Sequence, residues 1–130
     1  MHADSVNSQR QYDLVVWGAS GFTGRLVVEY LVKKYPLGGD LRWAVAGRDR
    51  SKLESVLAEV PGSNQQPPMI IADSHDEASL QKLTESTRVV LTTVGPYASY
   101  GSELVAACVR NGTHYCDLAG EVQWMRAMID

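Results

Sequence analysis

Residues 12–24 read YDLVVWGASGFTG, and the order of apolar residues and glycines in this stretch decides how the rest of the chain is arranged. Leu14, Val15, Val16 and Trp17 form a short apolar run without polar alternation, the pattern of a parallel strand buried on both faces. The run stops at Gly18. Glycine recurs at Gly21 and Gly24, and Leu26, Val27, Tyr30 and Leu31 follow at the spacing of one apolar helix face. A helix that starts directly after a glycine turn presents backbone N–H groups with no intrahelical partner, and its dipole favours an anion there. A pyrophosphate fits that place. Gly18 allows the reversal out of the strand, Gly21 removes a Cβ that would hold phosphates off the main chain, and Gly24 lets the helix lie close on the strand. Phe22 and Thr23 would donate backbone N–H groups and Ser20 a hydroxyl. The spacing is G-x-x-G-x-x-G, not G-x-G-x-x-G, and the flanking strand and helix supply the context that a lone glycine triplet lacks.

Downstream, the same strand and helix alternation repeats. Residues 35–40 (YPLGGD) stop the first helix, and residues 42–46 read as a second strand ending at Gly47. Arg48, Asp49 and Arg50 then occupy the position at which a dinucleotide domain inspects the adenosine ribose. An arginine there pairs with a 2′-phosphate through a charge-assisted fork, whereas an acid accepts from a 2′-hydroxyl and repels the phosphate. Arg48, with Lys52 as a second cation, points to NADP(H). Asp49 supports NAD if the strand is one residue longer. Ser51 and Glu54 have the form of a capping box before a helix carrying Leu53, Val56, Leu57 and Val60. Residues 69–72 read as a third strand and Ser74 with Glu77 as a second capping box, before a helix with Leu80 and Leu83. Asp73, at that strand's end, is placed for the adenine amino group. Residues 89–94 read as a fourth strand running into Gly95, Pro96 and Tyr97, a stiff turn whose ring can cover the nicotinamide half of the cofactor. Leu104, Val105, Cys108 and Val109 mark a further helix face closed by Asn111 and Gly112. Residues 114–118 are a fifth strand, and a last helix covers residues 121–128.

Composition sets limits on partners. At 130 residues the chain is one domain, and a net charge of −3 recommends neither nucleic acid nor an anionic membrane. Two cysteines, Cys108 and Cys116, are too few for a disulfide framework, and both read as lying in element interiors of a protein in a reducing compartment. Residues 1–11 hold no apolar segment, so they read as a disordered tail ahead of a domain over residues 12–130 in the cytoplasm. Tyr30 and Lys34 match a Y-x-x-x-K spacing, but they lie on the first helix, whose far end points away from the nicotinamide, and Tyr30 belongs to its apolar stripe. His114, Cys116 and Asp117 lack the four-ligand spacing of zinc.

Three stretches together, VVWGASGFTGR, AVAGRDRSKL and TTVGPYASYGSELVAACVRNGTHYCDLAGE, resemble the NADP-binding amino-terminal domain of saccharopine dehydrogenase-like oxidoreductases, the group that includes trans-acting enoyl reductases. The resemblance runs over residues 12–125. It implies phosphate contacts at residues 18–24, a 2′-phosphate contact at Arg48 and cofactor contacts at Gly95, Pro96 and Tyr97. Tyr100, His114, Tyr115, Asp117 and Glu121 also match the pattern, without a catalytic role attached to them. It further implies that the chain is a fragment of a larger enzyme whose substrate and dimerisation domain, absent here, completes a homodimer, with peripheral membrane association in some members. The expected fold is α/β: a Rossmann-like, doubly wound parallel sheet of three layers, α/β/α. The expected function is hydride transfer between NADPH and a small or lipid-linked substrate, an enoyl thioester or an imine. Two alternatives stand beside it: a non-catalytic NADP-sensing module, and the cofactor domain of an atypical short-chain reductase.

Overall fold

The structure is a computed structural model, and it describes residues 10–60, 66–93 and 102–117. Five strands, β1 (Tyr12–Trp17), β2 (Trp43–Gly47), β3 (Met69–Ile71), β4 (Thr87–Thr92) and β5 (His114–Cys116), alternate with four helices. These are α1 (Phe22–Lys34), α2 (Arg50–Ala58), α3 (Glu77–Ser86) and α4 (Ser102–Asn111). All four strand pairs are parallel and the order is β3-β2-β1-β4-β5. The chain therefore builds outward from β1 on one side, then crosses back so that β4 pairs with β1 on the other. Val16 stands opposite both Val45 of β2 and Leu91 of β4. The carboxyl ends of β1 and β4 form the point at which strand order reverses, where open α/β sheets hold ligands.

Because side chains alternate across a strand, β1 feeds two cores. Val15 and Trp17 join Leu80 and Leu83 of α3 and Leu104, Ala107 and Cys108 of α4. Val16 joins Val28 and Leu31 of α1 and Leu53 and Leu57 of α2 on the opposite face. Three layers result, as the apolar strand runs require.

Several local expectations change. On α1 the buried residues are Gly24, Val28 and Leu31, with Val27 packed against the same core; of the stripe read from the sequence, Leu31 and Val27 face inward while Leu26 is 50% and Tyr30 55% exposed on the outer side. Gly24 is the reason: the helix meets the strand at a glycine, which rotates the inner face away from the larger side chains. On α4 the inner face is Leu104, Ala107 and Cys108, with Val109 exposed. Neither capping box forms. Asp49 caps α2, accepting from the N–H groups of Ser51 at 2.9 Å and Lys52 at 3.3 Å, and Asp76 caps α3, accepting from that of Ala78 at 3.1 Å. An Asp directly before the first turn reaches those N–H groups, whereas Ser51 already lies inside the helix. α4 ends in a Schellman motif: Gly112 has φ +65°, its N–H donates to Val109 O at 3.4 Å, and the Thr113 N–H donates to Cys108 O at 2.8 Å.

Arg10, assigned by its sequence to the terminal tail, is buried. Its guanidinium donates to Thr84 O at 2.9 Å and Thr87 O at 2.7 Å, and also to Thr113 Oγ1 and Asn111 O. These acceptors cluster where α3 and α4 end, so two helix dipoles compensate a cation that has no carboxylate partner in this set. Cys108 is buried, and burial pushes its thiol up to about 12; Cys116, expected inside a strand, is exposed.

Candidate functional site: the glycine turn at the strand switch point

β1 leads into the turn at Gly18, whose φ of +88° suits glycine alone. Its N–H donates to Ala46 O of β2 at 2.9 Å, and its carbonyl accepts the Gly21 N–H at 3.0 Å. Gly21 is the N-cap of α1, and the first helical bond runs from the Arg25 N–H to Gly21 O at 2.8 Å. At Gly24 an added Cβ would fall 2.0 Å from Gly18 O and 2.8 Å from the Ala19 Cα, so close helix-to-strand packing demands glycine there. Gly21 differs. A Cβ there would meet nothing nearer than Gly18 O at 3.5 Å, an ordinary contact, and its φ of −80° is open to any residue. The protein's own packing therefore does not require glycine at this exposed position, and the space in front of it suits a ligand that must approach the main chain.

The start of α1 is also bare of anions. No side chain caps it and no acid lies in its first turn, whereas α2 and α3 are each capped by an aspartate. Phe22 and Thr23 bring their N–H groups to this end; the Phe22 side chain is 82% exposed, and Ser20 is half-buried beside it. These residues fit a bound pyrophosphate: open amides, room at Gly21 and no competing carboxylate.

The residues that the sequence suggests for the ribose lie at the carboxyl end of β2. Arg48 is exposed there, and no hydrogen bond or ion pair among the described residues engages its guanidinium. Asp49 turns back to cap α2, so its Oδ1 is already an acceptor for two backbone N–H groups. Lys52 follows one turn into the helix with an exposed side chain. Asp73 stands just beyond β3, where the Ala72 N–H donates to Gly47 O at 3.0 Å; its carboxylate accepts the His75 N–H at 2.9 Å and shapes the turn into α3. Gly95, Pro96, Tyr97, Tyr100 and Glu121 lie outside the described residues, as does the helix expected over residues 121–128.

At the end of β4 stands a residue that the sequence did not single out. The Thr93 N–H donates to Trp17 O at 3.0 Å, and its hydroxyl reaches Trp17 O at 3.2 Å and Gly18 O at 3.3 Å. The only sequence signal is its place, one residue beyond the strand that pairs with β1.

Other features lie apart from this turn. A cleft of about 690 Å³ lined by Arg10, Lys82, Glu85 and Arg110 opens at the opposite, amino-terminal ends of the strands. Tyr30 packs its ring on Tyr35, with centroids 6.4 Å apart, far along α1 from the glycine turn. Among the described residues no helix is long and apolar enough to cross a membrane.

A parallel sheet with an uncapped glycine turn at its switch point defines a dinucleotide-binding α/β domain. A family model for the saccharopine dehydrogenase NADP binding domain matches residues 14–129, and the chain belongs to that family of oxidoreductase cofactor domains. It is 43% identical over 122 residues to a trans-acting enoyl reductase of Mycobacterium leprae, an alignment covering 94% of this chain and 28% of that protein. It is 44% identical over 122 residues to a lipid droplet localized protein of Caenorhabditis elegans, covering 91% of this chain and 28% of that one. Among solved structures, apo saccharopine dehydrogenase (L-Glu forming) of Saccharomyces cerevisiae superposes with a TM-score of 0.67 at 18% identity, over 91% of this chain and 24% of that chain. The last likeness concerns the fold. The chain spans 28% of the length of these two curated relatives.

Proposed function

We propose that the chain holds NADP(H) across the carboxyl ends of β1 and β4, as the cofactor domain of an enzyme that transfers hydride to a small or lipid-linked substrate. The observation that carries this reading is the bare amino end of α1, the one helix of α1 to α3 without an aspartate cap, set at the switch point of the sheet. In it Gly18 turns the chain, Gly24 seats the helix, Gly21 leaves room before the main chain, and Phe22 and Thr23 offer main-chain N–H groups to the pyrophosphate, with the Ser20 hydroxyl beside them. Arg48 and Lys52 take the 2′-phosphate. With Asp49 engaged as a cap, the acid that would have favoured NAD is diverted. Asp73 faces the adenine side, and Gly95, Pro96 and Tyr97 serve the nicotinamide side. The cofactor supplies the hydride chemistry; these residues bind and orient it.

An enoyl thioester or an imine is the proposed acceptor, in keeping with the enoyl reductase relative. A homodimer through a further domain, a location in the cytoplasm and attachment of the longer protein to a lipid surface belong to the same proposal, the last supported by the name of the lipid droplet relative.

Calorimetric titration of the chain with NADPH and NADH tests the reading. NADPH is expected to bind more tightly, and Arg48→Ala to weaken NADPH by about tenfold or more, the scale of a charged hydrogen bond, with little change for NADH. Heat from neither nucleotide would refute cofactor binding, and equal losses for both would refute the assignment of Arg48.

A further inference from the structure

The carbonyl of Gly18 is the junction of the glycine turn. It accepts the Gly21 N–H at 3.0 Å and the Thr93 hydroxyl at 3.3 Å, and it bounds the space into which Gly24 packs. Its direction therefore sets both where α1 begins and how closely that helix approaches β1. Glycine reaches φ +88° easily but also leaves it easily, so the peptides on either side of its Cα need bonds from outside the turn to keep their orientation. Two neighbouring strands supply them. Ala46 O of β2 receives the Gly18 N–H at 2.9 Å, and Thr93, just beyond β4, donates from the other side. Thr93 is itself fixed by its N–H, which donates to Trp17 O at 3.0 Å. Its hydroxyl has one proton to share between Trp17 O at 3.2 Å and Gly18 O at 3.3 Å, and the residue is half-buried.

We infer that Thr93 is a positioning residue for the dinucleotide: its hydroxyl holds the Gly18 peptide so that the amides at the start of α1 stand in place before the pyrophosphate arrives. The inference rests on the cofactor reading above and adds a residue to it. Thr93 acts through Gly18, carrying the orientation of the β4 end to the anion cradle at the β1 end, so that both sides of the switch point share one geometry. Pairing of the strands does not need the hydroxyl, because the Thr93 N–H already joins Trp17 O. Valine keeps that N–H and nearly the same shape.

The test titrates the full 130-residue chain, wild type, Thr93→Val and Thr93→Ser, with NADPH by calorimetry. The same proteins are titrated by NMR with adenosine 2′-phosphate, which carries the 2′-phosphate and no pyrophosphate. Thr93→Val is expected to bind NADPH about three- to tenfold more weakly, the range one neutral hydrogen bond supplies, and Thr93→Ser to stay within about twofold of wild type. Adenosine 2′-phosphate should bind all three alike. Wild-type NADPH affinity in Thr93→Val, or a parallel loss of both ligands, would overturn the inference. A wild-type chain that binds neither ligand would instead overturn the cofactor reading, and the inference with it.

Discussion

Gly21 and Gly24 stand three positions apart and are glycine for different reasons, which substitution by alanine separates. A Cβ at Gly24 would sit 2.0 Å from the Gly18 carbonyl, so α1 has to move off β1; Gly24→Ala is expected to cost about 3 kcal/mol, read as a lower urea midpoint. At Gly21 the added methyl meets only an ordinary 3.5 Å contact. Gly21→Ala should leave the midpoint close to wild type while NADPH affinity falls. A large stability loss at Gly21 would mean that packing, not a ligand, selects glycine there. Asp13 gives the second residue-scale expectation. Its carboxylate accepts from the Arg42 side chain at 3.1 Å and the Arg42 main-chain N–H at 3.0 Å, with Arg88 at 3.7 Å, and the hydrogen bonds from Arg42 hold its pKa below the ordinary 3.8. A depressed carboxylate stabilises the fold above its unfolded pKa, and that contribution disappears as pH falls through the folded value. The urea midpoint of wild type should therefore drop more steeply than that of Asp13→Asn below about pH 4, and parallel curves would remove Asp13 from the balance.

Among the elements, α1 has two apolar sides with unequal energetic weight. Val28 and Leu31 are buried against the sheet, while Phe22, Leu26 and Tyr30, spaced four residues apart, line the solvent side. Val28→Ala should cost about 2 kcal/mol through the cavity it leaves, and Leu26→Ser no more than about 0.5 kcal/mol, with a fall in Tm of several degrees for the first variant only. The sequence marks this helix plainly but extends its inner face to Leu26 and Tyr30, because apolar residues outnumber the positions that one face can bury. Only Gly24 pressed against Gly18 fixes the rotation. The caps teach a similar lesson. Asp49 and Asp76 each stand directly before a helix, yet the S-x-x-E spacing of Ser51 and Ser74 competes for notice, and the choice depends on which residue is the first with helical backbone angles.

For the molecule as a whole, Arg10 joins what the sheet leaves apart. It lies ahead of β1 and bonds to the ends of α3 and α4 and to Thr113 before β5, more than a hundred residues away in the case of Thr113 and Asn111. Arg10→Met should destabilise the chain by about 2 kcal/mol, because buried carbonyls lose a charged donor. Equal midpoints for the Arg10 variant and wild type would show the cluster to be dispensable.

Order of elements, strand boundaries to within two residues and the place of the glycine turn were written in local sequence. Apolar runs, glycines and prolines act over a few residues, and the parallel α/β layout follows from their alternation. The cofactor class was likewise legible, since the glycine turn and the basic residues proposed to meet the phosphates lie in two short segments. What the tertiary structure alone decided are contacts between segments far apart in the chain. Arg10 fastens two helix ends, and Thr93 meets Gly18 across 75 residues. Each depends on distances that appear only when β4 returns to pair with β1, and no local pattern encodes that meeting.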